Sequence, residues 1–191
     1  GRALLGLGRG DSALRRMGER PATLREFKER TLLIQALTNG EEVDYQPEDR
    51  PDEDWYAQTG EERVPIRFPW ALDKPVPLLI AAYGPKILHW CGQVADGVIL
   101  QVADIETVRW SVEQVHAGAR AAGRDPGAIR IICATPVAVD EDLHAACDRI
   151  RWFPGVLSNH VADMVRRLPR EQAPANLLRL LEEPARYDYR E

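Results

Sequence analysis

One short stretch of this sequence, residues 75–100, carries the signals of a strand, a loop, a helix and a second strand in direct succession. It reads PVPLLIAAYGPKILHWCGQVADGVIL. Its first apolar run, residues 76–80, is continuous rather than alternating, which is typical of a strand covered on both faces within a parallel sheet. A helix with one apolar face begins near Pro85 and ends before Gly97, where the next apolar run starts. This order of elements predicts an α/β fold.

The loop between that strand and helix predicts an anion-binding site. Ala82, Tyr83 and Gly84 end the strand with mostly small residues, which lets a ligand approach the backbone closely. Pro85 suits the first position of a helix, and Lys86 lies just inside it. Amides at the start of a helix have no helical acceptor and favour an anion. Lys86 either neutralises a phosphate or lies on the helix surface, and we favour the phosphate.

Strands and helices alternate along the rest of the chain. The predicted elements are a strand at 3–8, a helix at 22–38 ended by Asn39 and Gly40, a helix at 105–122, a strand at 129–139 and a helix with Asp140 as its N-cap. Residues 41–74 are acidic and irregular, and we interpret them as an insertion with short strands around Val43 and Val64. The alternation leaves two architectures, an open doubly wound sheet and a (β/α)8 barrel.

Composition narrows the class of protein. The 191 residues are 45% hydrophobic, enough for a globular core, and the formal net charge of −5 argues against nucleic acid as a partner. The cysteines and histidines have no metal-ligand spacing, so neither a disulfide framework nor a metal site is predicted. No apolar run approaches the roughly 18 residues of a membrane span. The expected protein is cytoplasmic, has no membrane partner and binds a small molecule.

A glycine-rich segment follows the first predicted strand. Residues 8–13 satisfy a loose GxGxxA dinucleotide fingerprint. A Rossmann unit would add a second strand with an acidic ribose ligand about 20 residues later, whereas a helix is predicted there. The Rossmann interpretation is therefore the weaker one, and close packing of strand against helix is the structural alternative for the glycines.

Asp11 and Ser12 lie at the carboxyl end of this same strand, where a parallel barrel places its catalytic groups. Asp11 could move a proton to or from a substrate. Alternatively, Asp11 or Ser12 could be the N-cap of the next helix. The residues alone leave both interpretations open.

Three segments resemble a known family: GRALLGLGRGDSALRRMG, residues 75–100, and AGRDPGAIRI. They resemble the bacterial luciferase-like monooxygenase superfamily, and within it the coenzyme F420-dependent branch that includes methylenetetrahydromethanopterin reductase-type proteins. The resemblance implies a (β/α)8 TIM barrel. Residues 1–191 would form a single partial barrel domain, from about strand 4 to helix 7, with the insertion at 41–74. A homodimer is also expected, because dimers are common in this family.

The resemblance also implies a cofactor site. It places a cofactor phosphate on the loop at residues 82–86, with help from the end of the next strand, and it places the strand end at residues 8–11 beside the deazaflavin or isoalloxazine ring. Tyr83 departs from the small residue more usual before the GP pair. The implied catalytic residue is Asp11, and the implied cofactor-binding residues are Gly8, Gly10, Ser12, Ala82, Tyr83, Gly84, Pro85, Lys86, Gln101 and Val102.

The function implied by the resemblance is an oxidoreductase that transfers hydride between coenzyme F420 and an organic substrate, with Asp11 as proton donor or acceptor. One alternative is an FMN-dependent monooxygenase that acts with molecular oxygen. Another is a barrel fragment or subunit without catalytic activity. The substrate would be selected by the insertion and by further loops.

Overall fold

The structure is a computed structural model, and it describes residues 3–45, 64–71, 74–102, 104–155, 157, 168, 171 and 173–182. The chain forms two compact units, Gly1–Leu78 and Leu79–Glu191. None of the described helices combines the length and the apolar character needed to cross a membrane. In the same residues, no group of three or more His, Cys, Asp or Glu side chains is arranged to hold a metal ion.

The first unit contains strand β1 and two helices. Its first elements are β1 (Leu5–Leu7), α1 (Asp11–Arg16) and α2 (Leu24–Thr38). Helix α2 begins with a capping box, in which Thr23 accepts from the amide of Glu26 and the Glu26 carboxylate accepts from the amide of Thr23. Hydrogen bonds from the Thr23 backbone and side chain lower the pKa of Glu26 to about 2. The predicted end of this helix is confirmed, since Asn39 is its C-cap and Gly40 has φ +79°.

Two short strands lie where the insertion was predicted to carry them. Strands β2 (Val43–Tyr45) and β3 (Val64–Ile66) pair antiparallel, with Val43 opposite Ile66. The remainder of the predicted insertion, residues 46–63 and 72–73, lies outside the described residues. Between Gly18 and β2 the described chain contains α2 and no strand, which does not support the Rossmann interpretation.

The second unit alternates parallel strands with helices. From the second residue of β4 onward, its elements are β4 (Leu78–Ala81), α3 (Pro85–Val94), β5 (Gly97–Leu100), α4 (Ile105–Ala121), β6 (Arg130–Cys133), α5 (Leu143–Ile150) and α6 (Ala175–Glu182). Strand β5 lies between β4 and β6, and both pairings are parallel. The predicted α/β class with a parallel sheet is therefore confirmed, while the described strands form no closed barrel.

The core of this unit lies between the sheet and the pair of helices α3 and α4. Ile80 and Val98 of the sheet are completely buried, as are Leu88 on α3 and Val115 on α4. The continuous apolar run of β4 is thus covered on both faces, as its sequence predicted. This packing fixes where the loops at the carboxyl ends of β4 and β5 emerge.

Helices α3 and α4 approach so closely that their backbones touch. A Cβ atom added at Gly92 would lie 2.0 Å from the carbonyl oxygen of Val115, and one at Gly118 would lie 1.8 Å from that of His89. Arg124 then caps the end of α3, donating hydrogen bonds to the carbonyls of Gly92 and Ala95 at 2.8 and 2.9 Å. Glycine is therefore required on both sides of this helix contact.

Two predictions about strand β6 and helix α5 are wrong. The strand predicted at 129–139 ends at Cys133, because Pro136 cannot donate to a sheet and Val137 and Val139 are 78% and 87% exposed. The N-cap of α5 is Asp142, not Asp140. The Asp140 carboxylate instead accepts from the amide of Asp142 at 3.1 Å and pairs with Arg149 at 2.7 Å.

Candidate functional site

The loop between β4 and α3 presents free backbone donors at the start of a helix. Gly84 is the N-cap, with extended φ and ψ of −84° and 155°, and its carbonyl accepts the first helical hydrogen bond from Leu88 at 2.9 Å. Pro85 has no N–H, so the amides of Lys86 and Ile87 are the first-turn donors that have no helical acceptor. These donors and the positive end of the helix dipole favour an anion.

The space beside this helix start is open. A Cβ built at Gly84 meets no atom within 4 Å, and its φ is one that any residue adopts. Lys86 is exposed at the second position of α3. Ala82 is buried, and its amide donates to the carbonyl of Ile99 at 3.3 Å, which ties the loop to the end of β5. The loop is thus anchored at one end and accessible at the other.

Tyr83 and Gln101 are joined across the ends of neighbouring strands. Because β4 and β5 are parallel, the residues that follow them emerge at the same edge of the sheet. The hydroxyl of Tyr83 donates to Oε1 of Gln101 at 2.7 Å. Burial raises the pKa of Tyr83 to about 12, so the phenol stays protonated and acts as a donor. Val102, next to Gln101, is buried.

Helix α6 packs against Tyr83 through Leu177. Leu177 is 1% exposed and packs in a cluster whose other members are Tyr83, Trp110, Leu157, Leu168, Ala173 and Leu178. Asn176 donates from Nδ2 to the Asp104 carboxylate and, at 3.0 Å, to the hydroxyl of Thr107. These contacts were missed by sequence reasoning, although the apolar spacing in ANLLRLLE is typical of an amphipathic helix.

Asp104 is the N-cap of α4 and the partner of Asn176. Its Oδ2 accepts from the Thr107 amide at 2.8 Å and from the Thr107 hydroxyl at 2.7 Å. Partial burial raises the pKa of Asp104, but the hydrogen bonds from Thr107 and Asn176 outweigh that effect, and the net result is a lowered pKa. The ionised carboxylate is thus the form that holds α4 and α6 together.

In the first unit, Asp11 is paired with Arg9. The guanidinium group donates from Nε at 3.0 Å and from Nη2 at 2.9 Å, in both cases to Oδ1 of Asp11. Asp11 is the first residue of α1 and follows Gly10, whose φ of +71° favours glycine. Asp11 is therefore inside the helix and is not its N-cap. Gly8 is exposed, and the side chain of Ser12 lies outside the described residues.

Comparison with known proteins identifies the family. The profile of the luciferase-like monooxygenase family matches residues 1–190, and the chain belongs to this family. It is 32% identical over 146 residues, 74% of the chain, to 5,10-methylenetetrahydromethanopterin reductase of Methanolobus tindarius. It is 29% identical over 169 residues, 81% of the chain, to F420-dependent glucose-6-phosphate dehydrogenase of Gordonia bronchialis. The chain spans 40% and 45% of the lengths of these relatives.

A solved structure shares the fold. An F420-dependent secondary alcohol dehydrogenase, in complex with an F420-acetone adduct, matches with a TM-score of 0.62 and 22% sequence identity. The match covers 94% of this chain and 52% of the dehydrogenase. These findings confirm the family resemblance inferred from the three sequence segments and agree with the parallel α/β architecture.

Proposed function

We propose that this protein is an oxidoreductase that transfers hydride between coenzyme F420 and an organic substrate. The observation that carries the proposal is the open start of α3, where Gly84 leaves space beside two amides that have no helical acceptor. That arrangement suits the phosphate of a cofactor. The similarity to F420-dependent glucose-6-phosphate dehydrogenase of Gordonia bronchialis supports the choice of cofactor.

The residues of the second unit would bind and orient the cofactor. The amides of Lys86 and Ile87 would donate to phosphate oxygens, and the Lys86 ammonium group would offset their charge. The side chains of Ala82, Pro85 and Val102 carry no charge, so these residues would contact the cofactor through apolar surface and backbone atoms. When bound, F420 supplies two-electron hydride chemistry, so the protein's own task is to orient the reactants and to manage protons.

In the first unit, Asp11 would be the proton donor or acceptor. Arg9 orients the carboxylate through Oδ1, so we assign the proton transfer to Oδ2. Gly8, Gly10 and Ser12 would lie beside the ring, where small residues let the backbone approach it. The described strands would form part of a (β/α)8 barrel, and we propose a homodimer as the assembly.

Replacing Asp11 with asparagine is expected to lower turnover of F420 roughly hundredfold, the usual loss when a general acid or base is removed. The amide keeps the size and the contact to Arg9, so affinity for F420 is expected to change little. Absorbance of F420, followed with a substrate that the unaltered protein accepts, measures turnover. The exposed Glu113→Gln variant is the control for removing a carboxylate. Full activity of Asp11→Asn would mean that this residue only starts α1.

Isothermal titration with F420 and with FMN tests the proposed cofactor. We expect binding of F420 and much weaker binding of FMN. A preference for FMN would favour the alternative of a monooxygenase that acts with molecular oxygen. Absence of binding to either cofactor would favour the remaining alternative, a barrel fragment or subunit without catalytic activity.

A further inference from the structure

Helix α6 contacts both loops that form the candidate phosphate site. Leu177 packs against Tyr83, which belongs to the loop after β4. Asn176 binds Asp104, which belongs to the loop after β5 and lies three residues beyond Gln101. The hydrogen bond between Tyr83 and Gln101 joins the same two loops. One short helix therefore contacts Tyr83 directly and contacts the loop of Gln101 through Asp104.

We infer that α6 is a positioning element for ligand binding, in which Asn176 and Leu177 hold the Tyr83–Gln101 pair in its orientation. The inference rests on the proposed function. Since the Tyr83 hydroxyl donates to Oε1 of Gln101, the Nε2 group of Gln101 is directed away from Tyr83. Nε2 is then a donor for an anionic or carbonyl oxygen of the cofactor at the sheet edge.

If the Gln101 side chain is already oriented before F420 arrives, its Nε2 donor would favour F420 binding. Gln101 is exposed, and a free glutamine side chain loses rotamer freedom when a ligand immobilises it. Because Tyr83 is partly buried against Leu177 of α6 and binds Gln101, part of that entropy is lost on folding instead of on binding. Release of α6 is therefore expected to weaken F420 binding about threefold to tenfold.

The Asn176→Asp variant tests this role at nearly constant size. It places a second carboxylate against Asp104, whose lowered pKa keeps it ionised, so the two side chains repel. We expect weaker F420 binding by titration. We also expect Tyr83 to become exposed, so that its pKa falls from about 12 toward its ordinary value of 10.0. Tyrosinate absorbance, taken as a difference from the matching protein with Tyr83→Phe, reports this change.

A second substitution provides the matched rescue. In the double variant Asp104→Asn with Asn176→Asp, an amide again faces a carboxylate and the net charge equals that of the unaltered protein. Recovery of F420 affinity and of the high Tyr83 pKa would support the inference. A Tyr83→Phe variant, which keeps the ring under α6 and loses only the hydroxyl, is expected to weaken binding to a similar extent.

Two results would overturn the inference. One is an Asn176→Asp variant in which the pKa of Tyr83 falls to its ordinary value while the affinity for F420 is unchanged. In that case α6 has separated from Tyr83 without any effect on F420 binding. The other is unchanged affinity in Tyr83→Phe, which applies even if the Asn176 variant does not fold. In both cases the unaltered protein still binds F420. Failure of the unaltered protein to bind F420 would instead contradict the proposed function, and the inference with it.

Discussion

Replacing Gly118 with alanine is expected to destabilise the protein by about 3 kcal/mol or more, at the upper end of overpacking effects. The added Cβ would lie 1.8 Å from the carbonyl oxygen of His89, and that oxygen belongs to the backbone of α3. Neither helix can move a side chain aside to make room, so α3 and α4 must separate. Denaturant unfolding followed by tryptophan fluorescence measures the loss, because Trp90 and Trp110 lie on these two helices.

Gly84→Ala is the matched control for this substitution. It introduces the same methyl group into the same unit, at a position where a Cβ meets no atom within 4 Å and φ is −84°. Its unfolding free energy is expected to stay within about 0.5 kcal/mol of the unaltered protein. Equal stability of the Gly118 and Gly84 variants would show that the two helices do not meet as closely as described.

Replacing Gly84 with valine is expected to weaken F420 binding about tenfold to hundredfold. The branched side chain would occupy the open space beside the amides of Lys86 and Ile87, and loss of one hydrogen bond to a charged group costs about 1.5–3 kcal/mol. The fold is expected to survive, since the extended backbone at Gly84 accepts any residue. Titration with F420 measures affinity, and circular dichroism measures folding.

Ala128→Val is the control for added bulk, because Ala128 is exposed in the turn before β6 and belongs to no part of the candidate site. It is expected to bind F420 as the unaltered protein does. Unchanged affinity in a folded Gly84→Val variant would remove the loop after β4 from the cofactor site. The proposed function would then lose the observation that carries it.

Local signals predicted much of this fold because they depend on neighbouring residues. The continuous apolar run before Tyr83 predicted a covered strand, and the order Gly84, Pro85, Lys86 predicted a helix start; both are confirmed. The strand predicted at 129–139 is too long, because not all of its apolar residues are buried in the folded protein. Val137 and Val139 are exposed, and burial depends on neighbours distant in sequence.

The sequence by itself determined the α/β class and the loop at residues 82–86, because strand, turn and helix-start preferences act over a few residues. The family followed from the resemblance of three segments of the sequence. Only the tertiary structure decided which side chains meet. Asn176 lies 72 residues beyond Asp104, and Tyr83 lies 18 residues before Gln101. Such pairings are decided by the packing of whole elements, which brings distant side chains together at the edge of a parallel sheet.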